Sequence, residues 1–480
     1  MHKRVLLIYP PTQNMMREDR CQIPQKNSAI TSVFPPMDLL YLAAVAENAG
    51  CLCRITDYTL GRHTWDDFKR ELAEFKPDLL LISATTPTLA RDLAACALAK
   101  ECLPDVVTVA KGAHFLKFSS ATLEKFSALD IVIRGEAENV FKEIVSGAEL
   151  PRIKGISWRS GNGIIDNQEA GFIGNLDALP FPARHLIDNR RYRRPDNGKV
   201  QAVIKVGRGC AHNCFFCLAT AVSGPAVRLR SPENIIEEIK LCIDRYGIKD
   251  FLFFAENFTA DKDWVLRLCR QIIASGLKFN WSANSRLDSI DPETAGAMRQ
   301  AGCTLVSIGI ESGNNAILKQ IGKNLTLKDI LNSFPVFKKA GLKTLTYYIV
   351  GFPWDTEQTV KDTIRLSLKL NSDYAAFYTA VPFPGTRFFD YARQNGLLEA
   401  GQEEQAYRDA YYCPPAKGHY LSREQIIRLH RQAVREFYLR PEYIIKRFLS
   451  IRSLGELYYQ ARLAFFTAAD HCSYLKGQSK

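Results

Sequence analysis

GRGCAHNCFFCLAT, residues 207–220, places Cys210, Cys214 and Cys217 within eight positions and sets no fourth cysteine beside them. Structural zinc takes four ligands, and its usual fingerprint is two CxxC pairs. Here CxxxCxxC stands alone, and the next cysteine, Cys242, falls deep in a helical pattern. A 4Fe-4S cube has four iron corners, so three thiolates leave one iron open to a small chelating molecule.

The loop follows directly on AVIKVGRG, a run with the composition of a buried strand. Five more such runs come after it: DFLFFAEN, FNWSANSR, TLVSIGIES, TLTYYIVGF and YAAFYTAVPFPG. Helical patterns separate them, the first opened by Ser231-Pro232-Glu233, where Ser caps free amides and Pro suits the first helical position. Six βα units side by side predict a partial barrel with its active site at the carboxyl ends of the strands. The three cysteines lie at that end.

Upstream, residues 1–150 alternate short apolar runs (VLLIYPP, CRITD, DLLLISAT, VVTVAKG, DIVIRGE) with helical segments such as DLLYLAAVAENAG and TWDDFKRELAEF. Near-continuous apolar strands separated by helices predict a parallel sheet covered on both faces, a doubly wound α/β domain. Its ligands belong at the strand ends Pro10-Pro11, Asp57-Tyr58, Ser83 to Pro87, Lys111 to His114 and Arg134-Gly135-Glu136. No GxGxxG follows the first strand, which argues against a dinucleotide. Residues 151–200 lose this rhythm and read as a linker containing a hairpin, GISWRSGNGIID.

Composition agrees with a soluble globular chain: 480 residues, 46% hydrophobic and 24% charged. The opening MHKRVLLIYPP reads as a first strand, because its apolar run is short and ends in two prolines. A cytoplasmic setting is expected, with the thirteen cysteines as thiols or metal ligands. The net charge of +12 is uneven. Residues 183–230 hold ten Lys or Arg against two Asp, and residues 421–480 hold eleven against five acids. The first patch reads either as a solvated linker face or as an anion-attracting mouth, with Arg228 and Arg230 placed to clamp a carboxylate or phosphate. The basic, apolar C-terminal helices either pack on the barrel or touch an anionic membrane.

CAHNCFFC resembles the CxxxCxxC motif of the radical S-adenosylmethionine (SAM) superfamily, with the aromatic Phe216 before the last cysteine. The resemblance implies a 4Fe-4S cluster on Cys210, Cys214 and Cys217 whose open iron binds SAM. It also implies one-electron cleavage of SAM to a 5′-deoxyadenosyl radical. The implied SAM cradle is Glu256 for the amine, Ser285 and Arg286 for the carboxylate or ribose, Glu311 for hydroxyls and Gly351 beside the adenine.

The first 150 residues resemble the Rossmann-like cobalamin-binding domain that precedes such barrels in a large group. That group includes methylases of unactivated carbon and the anaerobic magnesium-protoporphyrin ester cyclase. KPDLLLISATTPT, DIVIRGEAENVF, VRLRSPENIIEEI, FAENFTAD and IGIESGNN carry the likeness. Ser83, Thr85 and Gly112 are then the cobalamin-side residues. The chain departs from the group in two places: it lacks DxHxxG, with His63 displaced, and Lys111 stands where the first of two glycines is usual.

The expected architecture is an N-terminal domain (1–150), a linker (151–200), a partial (β/α)6 barrel (201–400) and a helical extension (401–480). The expected activity is cobalamin-dependent C-methylation of a small molecule, possessing no nucleic-acid partner and served by an electron donor such as flavodoxin or ferredoxin. A cyclase-like oxidation of a tetrapyrrole or lipid is the alternative. A tRNA methylthiotransferase would need three more cluster cysteines and a terminal RNA-binding barrel, and a non-enzymatic sensor would have no use for an open iron. Cys413 remains a catalytic candidate near the barrel mouth.

Overall fold

A computed structural model describes residues 2–12, 15–18, 21–24, 34–61, 63–161, 163–194, 196–398, 407, 414–451, 457, 458 and 461. Cys413 lies outside them. The first apolar run forms β1 (Arg4–Tyr9), followed by a small hairpin of β2 (Met15–Glu18) and β3 (Cys21–Pro24). Then come β4 (Leu52–Asp57), β5 (Leu79–Ser83), β6 (Val107–Lys111) and β7 (Ile131–Ile133), with helices between them. These strands are parallel in the order β4-β1-β5-β6-β7. All five residues of β5 are buried, as a sheet covered on both faces requires.

The hairpin read as part of the linker, β8 (Ile156–Ser160) and β9 (Gly163–Asp166), pairs antiparallel onto β7 and extends the first sheet to seven strands. Trp158 faces Ile131 in that register, so the apolar face of the sheet continues across it. Strand order reverses at β1, between β4 and β5, which is where a doubly wound sheet opens a crevice at its carboxyl edge.

The second sheet holds β10 (Gln201–Lys205) at one edge. After the two-residue ribbon of β11 (Gly207–Arg208) and β12 (Arg228–Leu229) come β13 (Asp250–Phe254), β14 (Asn280–Ser285), β15 (Cys303–Glu311), β16 (Lys343–Val350) and β17 (Tyr374–Thr379). Its order is β10-β13-β14-β15-β16-β17, every pair parallel, the partial barrel expected. The helix Pro232–Tyr246 starts as the sequence indicates: Ser231 accepts from the Asn234 amide, and Gly247 ends the helix in the left-handed conformation. The free edge at β17 is covered by the helix Arg423–Tyr438. There the Tyr438 hydroxyl lies 2.6 Å from the Ala375 carbonyl, and His430 Nε2 lies 2.8 Å from the Phe377 carbonyl.

Each sheet has a buried apolar cluster of its own, and a further cluster joins them. Val203 and Phe254 of the barrel belong to the same buried apolar cluster as Leu39 and Ala43 of the helix Met37–Asn48 in the first domain. At the far end, the helix Pro441–Ser450 exposes Ile444, Ile445, Phe448 and Leu449. Among the described residues, no helix is long and apolar enough to cross a membrane.

Candidate active site

The cysteine loop leaves β10 and is pinned at several points. The Phe215 amide donates to the Ile321 carbonyl (2.9 Å), and its ring packs on Trp354 and Phe388. The Cys210 amide donates to the Gly224 carbonyl (3.0 Å). Cys210 and Cys214 are buried and Cys217 is partly exposed. Two N–H groups point at the sulfurs: the Ala219 amide lies 3.4 Å from Cys217 Sγ, and Arg286 Nη1 lies 3.9 Å from Cys214 Sγ. Burial raises the Cys214 thiol above its ordinary range, with Lys323 and Arg286 pulling the other way. Phe216 stays beside the loop, its ring 5.5 Å from that of Phe352.

The other predicted residues line the same strand-end face, with different degrees of freedom. Glu256 Oε1 accepts from the Ser223 hydroxyl (2.7 Å), while Glu256 Oε2 is buried with no partner. Ser285 is taken up by Thr259 and by the Arg286 carbonyl. Arg286 is engaged within the chain. Its Nε and Nη2 donate to the two oxygens of Asp288 (2.9 and 2.7 Å), and Nη2 also donates to the Lys323 carbonyl (2.7 Å). Glu311 has a left-handed backbone (φ 68°) next to a register shift in β15 and is paired with Lys323 Nζ (2.9 Å), both buried. At Gly351 a side chain would meet Ile426 at 2.7 Å, so helix packing is sufficient reason for glycine there.

The first domain's candidates form one buried network. The Ser83 hydroxyl donates to Asp38 (2.6 Å), Lys111 Nζ lies 3.1 Å from the same carboxylate, and the Tyr9 hydroxyl donates to its other oxygen (2.6 Å). Burial alone would raise the Asp38 carboxyl. Lys111 and the two hydroxyls outweigh it and hold the group at about 2. The Thr85 amide donates to Asp92 (3.1 Å), and Asp92 is paired with buried Arg17 of the β2–β3 hairpin (2.7 Å). Arg17 also donates to the Ser83 carbonyl (3.0 Å), so it closes the crevice between β1 and β5. Gly112 passes so near β5 that a side chain would lie 2.2 Å from the Ala84 carbonyl. His63 packs edge-on to Tyr58 instead.

The two strand-end faces meet. Ala113 and Leu116, after β6, share an apolar cluster with Leu218 and Val222 of the cysteine loop and with Val381 and Phe383 after β17. This wall, like Lys323, Asp288 and Ser223, carries no spacing signal in the sequence. The tertiary fold alone assembles it.

The arginines expected to greet an anion are instead structural. Arg228 donates to both oxygens of Glu136 (3.0 and 2.8 Å) and to the Ile173 carbonyl. Arg230 pairs with Glu238 (2.5 Å), and Arg208 with Glu138. Within residues 183–230, Arg184, Arg208, Arg228 and Arg230 are thus paired with carboxylates outside the stretch, and Arg190 and Arg194 bond to its own Asp188 and Asp196. Burial would raise Glu138, but Arg208 overcomes it and holds the carboxyl at about 2. Folded-state values for Asp38 and Glu138 below the ordinary carboxylate range mean that both stabilise the fold above about pH 5 and lose that contribution as pH falls toward 2. The midpoint of urea unfolding therefore drops between pH 5 and 3, and Glu138→Gln flattens the drop. An equal slope in that variant would contradict the assignment.

Among the described residues, no three His, Cys, Asp or Glu side chains converge closely enough to hold a single metal ion. Family models place this loop and the preceding sheet. The radical SAM superfamily model matches residues 204–367, and the B12 binding domain model matches residues 27–145. The chain is 32% identical to the uncharacterized methyltransferase PH0819 of Pyrococcus horikoshii, over 95% of this chain and 99% of that protein. It is 25% identical to the anaerobic magnesium-protoporphyrin IX monomethyl ester cyclase of Cereibacter sphaeroides, over 76% of this chain and 61% of that one. In fold it matches the radical SAM methyltransferase TsrM of Kitasatospora setae, with a TM-score of 0.70 at 16% identity, covering 98% of this chain and all of that one. With the cysteine loop on the barrel's first strand and the doubly wound sheet before it, the chain belongs to the radical SAM superfamily, in the group whose barrel follows a B12-binding domain.

Proposed function

We propose that the protein is a radical SAM methyltransferase whose barrel holds a 4Fe-4S cluster and SAM, whose first domain holds cobalamin, and whose substrate is a small molecule with an unactivated carbon. The carrying observation is the shared apolar wall that brings the cysteine loop against the carboxyl edge of the first sheet.

The residues fit these groups. Cys210, Cys214 and Cys217 would hold the cluster, with N–H groups of Ala219 and Arg286 directed at two of the sulfurs. Glu256 Oε2, buried and unpartnered, is the acceptor that the ammonium of SAM would satisfy. With the β1–β5 crevice filled by Arg17, Asp38 and Lys111 and Ala113 buried against the barrel, the residues after β6 left to contact a corrin are the partly exposed His114 and Leu116.

When bound, these groups supply the electron that splits SAM, the radical that takes a hydrogen atom, and the methyl group that replaces it. The chain's own part is positional. Leu218, Val222, Val381 and Phe383 pack with Ala113 and close the seam between the cysteine loop and the first domain to water. The Phe215 anchor and the Arg228–Glu136 pair hold the cysteine loop against the first domain. A low-potential one-electron donor of the flavodoxin or ferredoxin class would serve it.

Methyl transfer is favoured over ring closure because the methyltransferase relative is 32% identical over 99% of its length, whereas three cyclases are 24–26% identical over 61–82% of theirs. Because Arg228 and Arg230 are committed to Glu136 and Glu238, the structure offers no argument for an anionic substrate at that place. The test is anaerobic reconstitution followed by SAM and dithionite, with 5′-deoxyadenosine as product. A protein that takes up iron and sulfide but forms none would overturn the reading.

A further inference from the structure

Arg286 has a different task from the one its strand-end position suggests. Its side chain is 7% exposed, and all three guanidinium nitrogens are engaged within the chain. Asp288 grips Nε and Nη2 as a fork, the Lys323 carbonyl takes Nη2 again, and the backbone amide is fixed by Asn257 Oδ1 (3.1 Å). What remains is Nη1, held 3.9 Å from Cys214 Sγ, within the longer reach of a sulfur acceptor. The neighbouring cation, Lys323, is neutralised by its own pair with Glu311.

A hydrogen bond to a cluster sulfur and a nearby positive charge both favour the more negative, reduced state of an iron–sulfur cluster. The effect is strong where water is excluded, as it is around Arg286. Asp288 works in the opposite sense: it orients the guanidinium and partly cancels its charge. We infer that Arg286, oriented by Asp288, is a positioning residue that sets the reduction potential of the cluster through Cys214 and is not a ligand of SAM. This rests on the reading that Cys210, Cys214 and Cys217 hold a 4Fe-4S cluster.

The test is an anaerobic redox titration of the reconstituted full-length protein, followed by EPR, with titanium(III) citrate as the reductant. Wild type is compared with Arg286→Gln, Arg286→Lys and Asp288→Asn, and SAM affinity is measured in parallel by equilibrium dialysis. Arg286→Gln moves the midpoint to more negative potential, Arg286→Lys falls between it and wild type, and Asp288→Asn moves it the other way. SAM affinity stays at the wild-type value in all three. An unmoved midpoint in Asp288→Asn, or an Arg286→Gln protein that keeps the wild-type potential and loses SAM binding, overturns the inference. If Arg286→Gln takes up no iron, the direction of the Asp288→Asn shift decides alone. A wild-type protein that takes up no iron and sulfide would instead defeat the cluster reading itself, so the two failures are distinguishable.

Discussion

Replacing Cys210, Cys214 and Cys217 together by Ala abolishes both iron uptake and 5′-deoxyadenosine formation while leaving the protein folded. The loss is complete because each of the three thiols would hold a different iron of the cube, and none remains in the triple variant's motif. The fold survives because the loop is anchored by other means. The Phe215 ring sits among Trp354, Phe388 and Tyr391, and the Phe215 and Cys210 amides bond to carbonyls outside the motif. Removing a thiol deletes little buried apolar surface, so each substitution costs about 1 kcal/mol or less of packing. Iron analysis, deoxyadenosine assay and a urea unfolding curve on one preparation check all three statements. Deoxyadenosine at the wild-type level in the triple variant would contradict the site.

Glu238→Ala has the largest effect on stability. Glu238 is fully buried on the helix Pro232–Tyr246, where one oxygen accepts from Arg184 (2.7 Å) and the other from Arg230 (2.5 Å). Arg184 comes from the connector and also donates to the Val203 carbonyl (2.6 Å), so this triad ties connector, barrel strand and helix together. The intact triad gains little net energy, since removing three charges from water offsets their attraction. Losing its only anion leaves two buried guanidinium groups facing each other and costs about 3–5 kcal/mol. Urea unfolding followed by tryptophan fluorescence measures it. A change below about 1 kcal/mol would mean that water reaches the triad and screens it.

The parallel strands were legible because strands buried on both faces are continuous apolar runs. LLLIS of β5 is buried throughout, and its pattern needs no partner to be seen. The cluster loop was legible for a chemical reason, since three thiols at fixed spacing imply a ligand set before any fold is known. The edge of the first sheet was not. GISWRSGNGIID looks like an isolated hairpin, and only the position of β7 decides that it extends a sheet.

Charge was the least legible feature. Arg228 and Arg230 look free in a basic stretch, but their partners are Glu136, far upstream, and Glu238, on the next helix. Arg286 likewise has a partner in Asp288, two positions on, that its strand-end place does not announce. Sequence spacing shows which groups are present at a strand end. It does not show which of them the fold has already satisfied.

The first domain would hold the corrin and the barrel the cluster and SAM, and Ala113, Leu116, Leu218 and Val222 join these two strand-end faces. The most direct measurement loads the anaerobic protein with both cluster and hydroxocobalamin, reduces it in the presence of SAM carrying an isotopically labelled methyl group, and recovers the corrin. The account predicts labelled methyl on the recovered cobalamin, and none on cobalamin incubated with SAM and reductant alone. Corrin that binds the protein in stoichiometric amount and returns unlabelled, while deoxyadenosine still forms, would contradict it.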